Sequence, residues 1–316
     1  MSQSSSPLNL AVVIATMDRP SNVHRLLSNI KAQAFHPHQV IVVDGGEITA
    51  KAVVEQFTDL EIDYITVRPP ALTKQKNAGV AVARSDIDLI GFFDDDMAFE
   101  TGALEAMMAF WATAKAEVAG ASFNLTDFDN SWARPKSLAQ RLFFIDNRSF
   151  GKVLRSGYTT HIWNVQSDTS VQWLGGGYTV WRKRVFDTCL FEEWYTGSGM
   201  WEDTFFSYRV GKDNQLFIVA DAKASHLDAP IPLQSQFKLG HTQIVNWLYF
   251  VNQNRDLSLF MCLWGCVGRT LINLTKGILG WDRGYLLRAL GNAKGLLTVA
   301  MGGAKANRDT SLGQVQ

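Results

Sequence analysis

The sequence predicts an α/β fold: a doubly wound, mostly parallel sheet flanked by helices, with a helical extension at the C-terminal end. Three observations carry this. Short apolar runs with little alternation recur through residues 8–123, helical patterns of about ten residues or more separate them, and the polar exceptions collect where the runs end. Strands that read as continuous apolar runs are buried on both faces, and crossover helices between them make neighbouring strands parallel.

The elements follow in order. Leu8–Ala15 is the first expected strand and is closed by Thr16, Met17, Asp18 and Arg19. A helical pattern over Pro20–Ala34 leads to a second strand, Gln39–Val43, which ends in Asp44, Gly45 and Gly46. Another helix, Thr49–Phe57, precedes the third strand, Ile62–Val67. The helix Thr73–Ala83 carries Lys74, Lys76 and Asn77 near its N-terminus, where phosphate is favourable, although either lysine alone fits a solvated surface charge. Leu89–Phe93 is the fourth strand, followed by Asp94, Asp95 and Asp96; a helix over Thr101–Lys115 and a weaker strand over Val118–Phe123 complete the pattern.

Three adjacent carboxylates at the end of a buried strand raise one another's pKa and cost several kcal/mol unless a counter-charge is close. A hard divalent cation, Mg²⁺ or Mn²⁺, held by one or two carboxylates and the oxygens of a diphosphate accounts for them; a solvated acidic turn is the alternative. The ligand crevice of an open α/β sheet lies outside the carboxyl ends of its strands. Thr16–Arg19, Asp44–Gly46 and the acidic triplet all recur at such ends.

At 316 residues with 47% hydrophobic and 19% charged content, the chain supports a sizeable core. Lys+Arg and Asp+Glu are equal at 30, so no global field argues for a nucleic-acid partner. From Arg255 onward, however, eight Lys/Arg against three Asp give a net +5. Three cysteines make no disulfide framework and fit a reducing compartment. Leu8–Ala15 is too short for a signal-peptide core, so the expected location is cytoplasmic.

Beyond residue 124 the chain becomes irregular and aromatic, which is ordinary for a core but also suits sugar rings, since Trp and Tyr offer an apolar face with a polar handle. Gly175, Gly176 and Gly177 interrupt this region, either because the backbone approaches a ligand or because the loop is flexible. Trp201, Glu202 and Asp203 open a helical pattern; acids there cap helices as readily as they do chemistry. His226 follows a strand-like run, Leu216–Val219, where a lone His is more often structural than a ligand.

Taken in order, Val13–Pro20, Val42–Gly46, Lys76–Gly79, Phe93–Met97, Gly175–Tyr178 and Trp201–Asp203 give the chain a pattern that resembles the family 2 glycosyltransferases with their GT-A fold, over roughly residues 8–254. Lys76 departs from the family's usual arginine there, keeping charge without the bidentate fork. The resemblance implies a nucleotide-diphosphate sugar donor, most often a UDP or dTDP sugar. Thr16, Arg19 and Asp44 would contact base and ribose, and Lys76 and Asn77 would lie near the diphosphate or base. Asp94 and Asp96 would be the two acids of an Asp-X-Asp motif, with Asp96 a direct metal ligand, Asp95 facing the ribose or its neighbour, and His226 completing the metal shell. Asp203, beside Glu202, would be the catalytic base, and Gly175–Gly177 with Trp201 would form a donor-sugar or acceptor loop.

On this basis residues 1–254 form the GT-A domain, with 8–123 as its nucleotide-sugar half and 124–254 as its acceptor and catalytic-base half. The expected activity is metal-dependent, inverting transfer of one sugar, or a few, to a saccharide or lipid-linked acceptor in surface glycan assembly. Polymer synthases of the family carry Gln-X-X-Arg-Trp; the nearest string, Gln243–Trp247, has Asn246 in place of the arginine. A binding or scaffolding protein that keeps the fold without turnover is the competing class. A nucleotidyltransferase would show a Gly-rich loop with Arg and Lys near the first strand, which Thr16–Pro20 is not.

Residues 255–316 form a basic, apolar helical extension. Leu257–Gly268 is apolar but short for a membrane span, and Arg269 and Lys276 weaken a spanning reading further. Two readings remain open: peripheral contact through 255–300 with the inner face of the cytoplasmic membrane, or a helical hairpin packed on the protein or another subunit.

Overall fold

The computed structural model describes residues 8–128, 138–146, 149–197, 199–227 and 231–303. In chain order the elements are β1 (Leu10–Thr16), α1 (Pro20–Lys31), β2 (Gln39–Asp44), α2 (Lys51–Val54), β3 (Ile62–Thr66), α3 (Leu72–Val82), β4 (Leu89–Phe93), β5 (Met97–Phe99), α4 (Ala103–Thr113) and β6 (Val118–Leu125). They continue with α5 (Leu138–Leu142), β7 (Thr169–Val171), β8 (Tyr178–Arg182), α6 (Glu202–Gly211), β9 (Gln215–His226), α7 (Gln236–Gln253), α8 (Leu259–Leu279) and α9 (Arg283–Ala300). Two compact units result, Met1–Asn130 with Trp163–Asp228 and Ser131–Ile162 with Ala229–Gln316. Helix α7, inside the 1–254 stretch marked off from sequence, thus falls in the second unit.

The first unit is a nine-stranded sheet in the order β3-β2-β1-β4-β8-β6-β9-β5, with β7 paired to β9. From β3 to β4 every pairing is parallel. Strand β8 then runs antiparallel between β4 and β6, so the sheet is mixed in its second half. Strands β1, β2 and β4 are buried almost throughout, which is why their sequences do not alternate. Helix α1 covers one face with Val23, Leu26, Leu27 and Ile30, a fully buried i, i+3, i+4, i+7 stripe. Each such side chain contributes about 1.5–3 kcal/mol. On α3 the spacing is closer: a Cβ at Gly79 would overlap Val13 of β1, so only glycine lets the helix approach the sheet.

Register brings the polar residues to one end. Thr16 pairs with Asp44 across the last rung of β1 and β2, and Asp94–Asp96 follow β4 directly alongside. Phe93, Phe99 and Phe123 pack behind the acids with ring centroids 4.5–5.5 Å apart, anchoring the turn to the core. Departures from the sequence expectation are local. The helix expected over Thr49–Phe57 is one turn, Lys51–Val54, and β5, β7 and β8 are additional strands, β7 and β8 in the region beyond residue 124 that reads as irregular.

In the second unit, α7 and α8 both pack on α9. Glycines allow the close approach: a Cβ at Gly240 would overlap the Arg288 carbonyl. Asn292, with its amide turned to suit its neighbours, donates to Gly240 O and Arg288 O at 3.0 and 2.9 Å. Trp247 is fully buried and donates from Nε1 to Ser156 O at 2.9 Å. The apolar stretch expected from Leu257 is one continuous 21-residue helix, α8, capped by the Ser258 hydroxyl. Among the described residues no helix is long and apolar enough to cross a membrane. Residues 304–316 of the expected extension lie outside the described residues.

Candidate active site

The acidic triplet divides into two environments. Asp95 is buried; its Oδ2 accepts from the Thr16 hydroxyl at 2.7 Å, and its Oδ1 accepts from Arg19 at 3.2 Å and Asn22 at 3.4 Å. This ties the end of β4 to the loop after β1. Arg19 also reaches Asp96 at 3.4 Å. Burial lowers the proton affinity of its guanidinium, but Asp95, Asp96 and Asp94 more than offset this and leave it raised.

Asp94 and Asp96 are half-buried, and with His226 they form a cluster whose ligand atoms lie within 4.8 Å of one another. His226 is brought there by the antiparallel pairing of β5 and β9, in which Met97 faces His226. Leu227 N donates to Asp96 O at 2.8 Å, fixing the approach. Asp96 Oδ1 is buried and accepts no hydrogen bond, with His226 Nε2 at 3.3 Å. Two carboxylates and an imidazole around an orphaned oxygen form a donor set that suits Mn²⁺ or Mg²⁺, so these residues fit a divalent cation. The Asp94 pKa is raised by burial, against the pull of Lys76 and with the push of Asp96 and Asp95.

The glycine run lies against this cluster. Asp94 N donates to Gly177 O at 2.8 Å, and a Cβ at Gly177 would overlap the Asp94 carboxylate. A Cβ at the neighbouring Gly176 would stand 3.2 Å from Asp203 Cβ and 3.0 Å from both Lys76 Nζ and Glu202 Oε1. A loop of two residues therefore touches Asp94 on one side and Asp203 on the other. Close backbone approach is what these glycines provide.

Glu202 and Asp203 form the first turn of α6, and Trp201 precedes them in a left-handed conformation (φ 77°). Asp203 is half-buried; its Oδ1 accepts from Thr204 N at 2.6 Å. Burial raises its pKa, while Lys76 and the Thr204 hydrogen bonds oppose the rise. Glu202 is buried and paired with Lys76 Nζ at 2.7 Å, and its Oε2 has no hydrogen-bond partner. Lys76 also lies over the Phe191 ring at 4.9 Å.

Other expected residues fall differently. The Asp44 carboxylate is fully buried and accepts from Gly46 N, Ala50 N and Tyr64 Oη, each at 2.7 Å, so it holds the loop after β2. Asn77 exchanges hydrogen bonds with the Phe191 backbone at 2.9 and 3.0 Å and thereby anchors the 191–193 segment. Residues not singled out from sequence also appear. Tyr178 stands among Asp203, Asp94 and Asp127, and burial with these acids raises its phenol well above the ordinary range. Gln75 bridges the ends of β1 and β2, donating to Thr16 O and Val43 O at 2.8 Å. Arg68 donates to Asp44 O at 2.7 Å and to Gly46 O. Tyr178 sat within the quoted glycine segment without a role; Gln75 and Arg68 carry no sequence signal, because their partners are backbone atoms.

Comparison with known proteins gives the family and the fold. The family model described as glycosyl transferase family 2 matches residues 11–168, half of the chain. No curated protein matches in sequence. Among solved structures, a mannosyltransferase from Pyrobaculum calidifontis in complex with GDP-Man and Mn²⁺ is similar at 11% identity and TM-score 0.55, covering 94% of this chain and 90% of that one. TarS of S. aureus is similar at 14% identity and TM-score 0.50, covering 85% of this chain; the present chain spans only 44% of that TarS chain. TarS 1-349 in complex with UDP-GlcNAc is similar at 12% identity and TM-score 0.50, with 93% and 92% covered. At these identities the likeness is one of fold.

Proposed function

The chain belongs to glycosyl transferase family 2, and from that premise we propose that it moves one sugar, or a few, from a nucleoside-diphosphate sugar, a UDP or dTDP sugar, to a hydroxyl of a saccharide or lipid-linked acceptor, with inversion. The observation that carries this reading is the shared loop: Gly177 abuts Asp94 while Gly176 abuts Asp203 and Glu202. A cation-binding carboxylate and a second, half-buried carboxylate thus serve one cleft.

In this reading Thr16, Arg19 and the turn held by Asp44 line the nucleotide side, with Lys76 and Asn77 behind them. Asp94, Asp96 and His226 would hold Mn²⁺ or Mg²⁺, and a cation bound there would supply positive charge against that building on the departing diphosphate. The acceptor oxygen attacks the anomeric carbon as the bond to the diphosphate oxygen breaks, its electron pair leaving with the phosphate. The hydroxyl proton passes to the Asp203 carboxylate, a role worth on the order of 10²–10⁴-fold. Burial keeps that carboxylate basic. Glu202 and Lys76 position the α6 turn beneath it, and Gly175–Gly177 with Trp201 flank the sugar. Displacement from one face by one base inverts the anomeric centre. An acceptor in surface glycan assembly at the inner face of the cytoplasmic membrane fits the basic, apolar C-terminal helices.

A thermal-shift panel of nucleotide sugars with and without Mn²⁺ tests the reading. A true donor at about 100 times its Kd stabilises the fold by about 2.7 kcal/mol, and the shift should shrink when the metal is withheld. A chain stabilised by no nucleotide sugar under either condition would overturn it.

A further inference from the structure

Helix α8 turns an apolar face to solvent. Phe260, Trp264, Val267, Leu271, Leu274 and Ile278 are all exposed, and their spacing of three and four residues sets them in one line down the whole helix. Leu263 widens the line to an arc of about 100°, broader than a coiled-coil seam. The opposite side of α8 carries the buried Cys262, Cys266, Asn273 and Gly277. Leu279, the last residue of the helix, is 81% exposed and Trp281, just past it, 93%, extremes for such side chains in water.

Charge indicates what covers this face. Residues 255–303 hold six basic side chains and two acids, Asp256 and Asp282, and Asp282 already caps α9 by accepting from Gly284 N and Tyr285 N. Arg255 before α8 and Arg283 after it are exposed, while Lys276 lies on the far side of the helix over the Tyr285 ring. A second copy would set like charge against like, and α8 itself carries no acid to pair across a seam. Anionic lipid meets both features: apolar side chains enter the acyl boundary, and the basic residues meet the headgroups. No described helix can cross the bilayer, so the orientation is in plane. We propose that the Phe260–Ile278 face of α8 docks the protein on an anionic membrane surface, lying within the interface. This deepens the membrane-surface part of the function proposed above and rests on it for purpose, not for evidence.

The test is flotation of the full chain with phosphatidylglycerol-rich vesicles against pure phosphatidylcholine vesicles, without donor or acceptor. Binding to the anionic vesicles, weakening with salt and accompanied by a blue shift of tryptophan emission, is expected. The triple variant Phe260→Ser, Leu271→Ser, Ile278→Ser should lower partitioning on the order of 10²-fold. Because these side chains are exposed, its melting temperature should stay unchanged. Arg255→Gln with Arg283→Gln should cost on the order of tenfold on anionic vesicles only. Absence of vesicle binding, equal partitioning of the triple variant, or a dimer in light scattering that the triple variant dissolves would overturn the proposal. Transfer to a water-soluble acceptor is measured separately, so a chain that transfers sugar but ignores vesicles refutes this inference alone.

Discussion

Lys76 Nζ lies 2.7 Å from Glu202 Oε1, both side chains are almost wholly buried, and the pair joins α3 to the first turn of α6. Burial lowers the ammonium's proton affinity, yet Glu202, Asp94 and Asp203 together hold it above its usual value. Burial lifts the Glu202 carboxyl to about 7 even against the neighbouring ammonium. Burial acts on the two groups in opposite directions, while the surrounding acids Asp94 and Asp203 push both upward. The ammonium therefore stays charged, and the proton exchanged near neutrality belongs to the carboxylates around it.

Glu202 should make stability depend on pH. An acid whose folded pKa is about 7 against 4.5 in the open chain binds its proton more tightly when folded. Its contribution is present below pH 4.5 and lost as pH rises through about 7, a change on the order of 3 kcal/mol. Glu202→Gln should flatten the slope of unfolding free energy between those pH values, read by urea titration across the range. A variant with the wild-type slope would contradict the assignment.

Asp203→Asn separates an enzyme from a binding module. The amide keeps the size of the side chain but cannot take a proton, so transfer should fall on the order of 10²–10⁴-fold while nucleotide binding by calorimetry is retained. In the unaltered protein the raised Asp203 pKa puts the acid limb of kcat/KM above the ordinary aspartate value of 3.8, since the base must be ionised to act. Nucleotide binding with full transfer by Asp203→Asn would refute the role.

Asp44 predicts a different failure. Replacement by alanine leaves Gly46 N, Ala50 N and Tyr64 Oη without their acceptor, at about 1–3 kcal/mol for each buried group. Asp44→Ala should show mainly as lost stability in a denaturant titration, and Tyr64→Phe as the smaller part of it. Undiminished stability with weakened nucleotide binding would assign Asp44 to ligand contact instead.

These positions show what a linear sequence can carry. Thr16, Asp44 and Asp94–Asp96 were legible because each ends an uninterrupted apolar run, and parallel pairing sets such ends side by side. Strand β8 was not, because Tyr178–Arg182 is short and defined only by partners in β4 and β6, over fifty residues distant. The same distance hides Lys76 from Glu202, 126 residues away. In the sequence the apolar stretch Leu257–Gly268 ends at Arg269, within an extension expected to be helical. In the fold Arg269 is half-buried and Lys276 lies over the Tyr285 ring at 5.2 Å, so neither interrupts the exposed apolar line.

The cluster of Asp94, Asp96 and His226 should bind a divalent cation even without substrate. Because the orphaned Asp96 Oδ1 and His226 Nε2 lie 3.3 Å apart, either Asp96→Asn or His226→Ala should weaken Mn²⁺ binding by about 10²-fold or more, as even outer-shell changes cost 10–100-fold. Calorimetry with Mn²⁺ alone reads this directly. Removal of metal by EDTA should abolish transfer, and added Mn²⁺ or Mg²⁺ should restore it. Unchanged Mn²⁺ affinity in both variants would remove these residues from the metal site.

Gly177→Ala probes the link between the two halves of the site without replacing an ionisable group. The new Cβ would overlap the Asp94 carboxylate, and relief requires either Asp94 or the loop to move. The Asp94 N to Gly177 O hydrogen bond at 2.8 Å and the β4–β8 ladder directly after it hold the loop, so the Asp94 side chain should yield first. Strain of this kind costs about 1–3 kcal/mol, which a melting curve detects as a modest loss of stability. Mn²⁺ affinity should fall with it, because Asp94 leaves the cluster. The nucleotide contacts proposed for Thr16 and Arg19, which Asp95 holds in place, should survive, so metal-free nucleotide binding should change little. Gly176→Ala gives the contrast. Its Cβ meets Lys76, Glu202 and Asp203 at 3.0–3.2 Å, so it should lower transfer more than Mn²⁺ binding. If both variants impaired metal and transfer equally, the loop would be a common support and not a partition between cation and base.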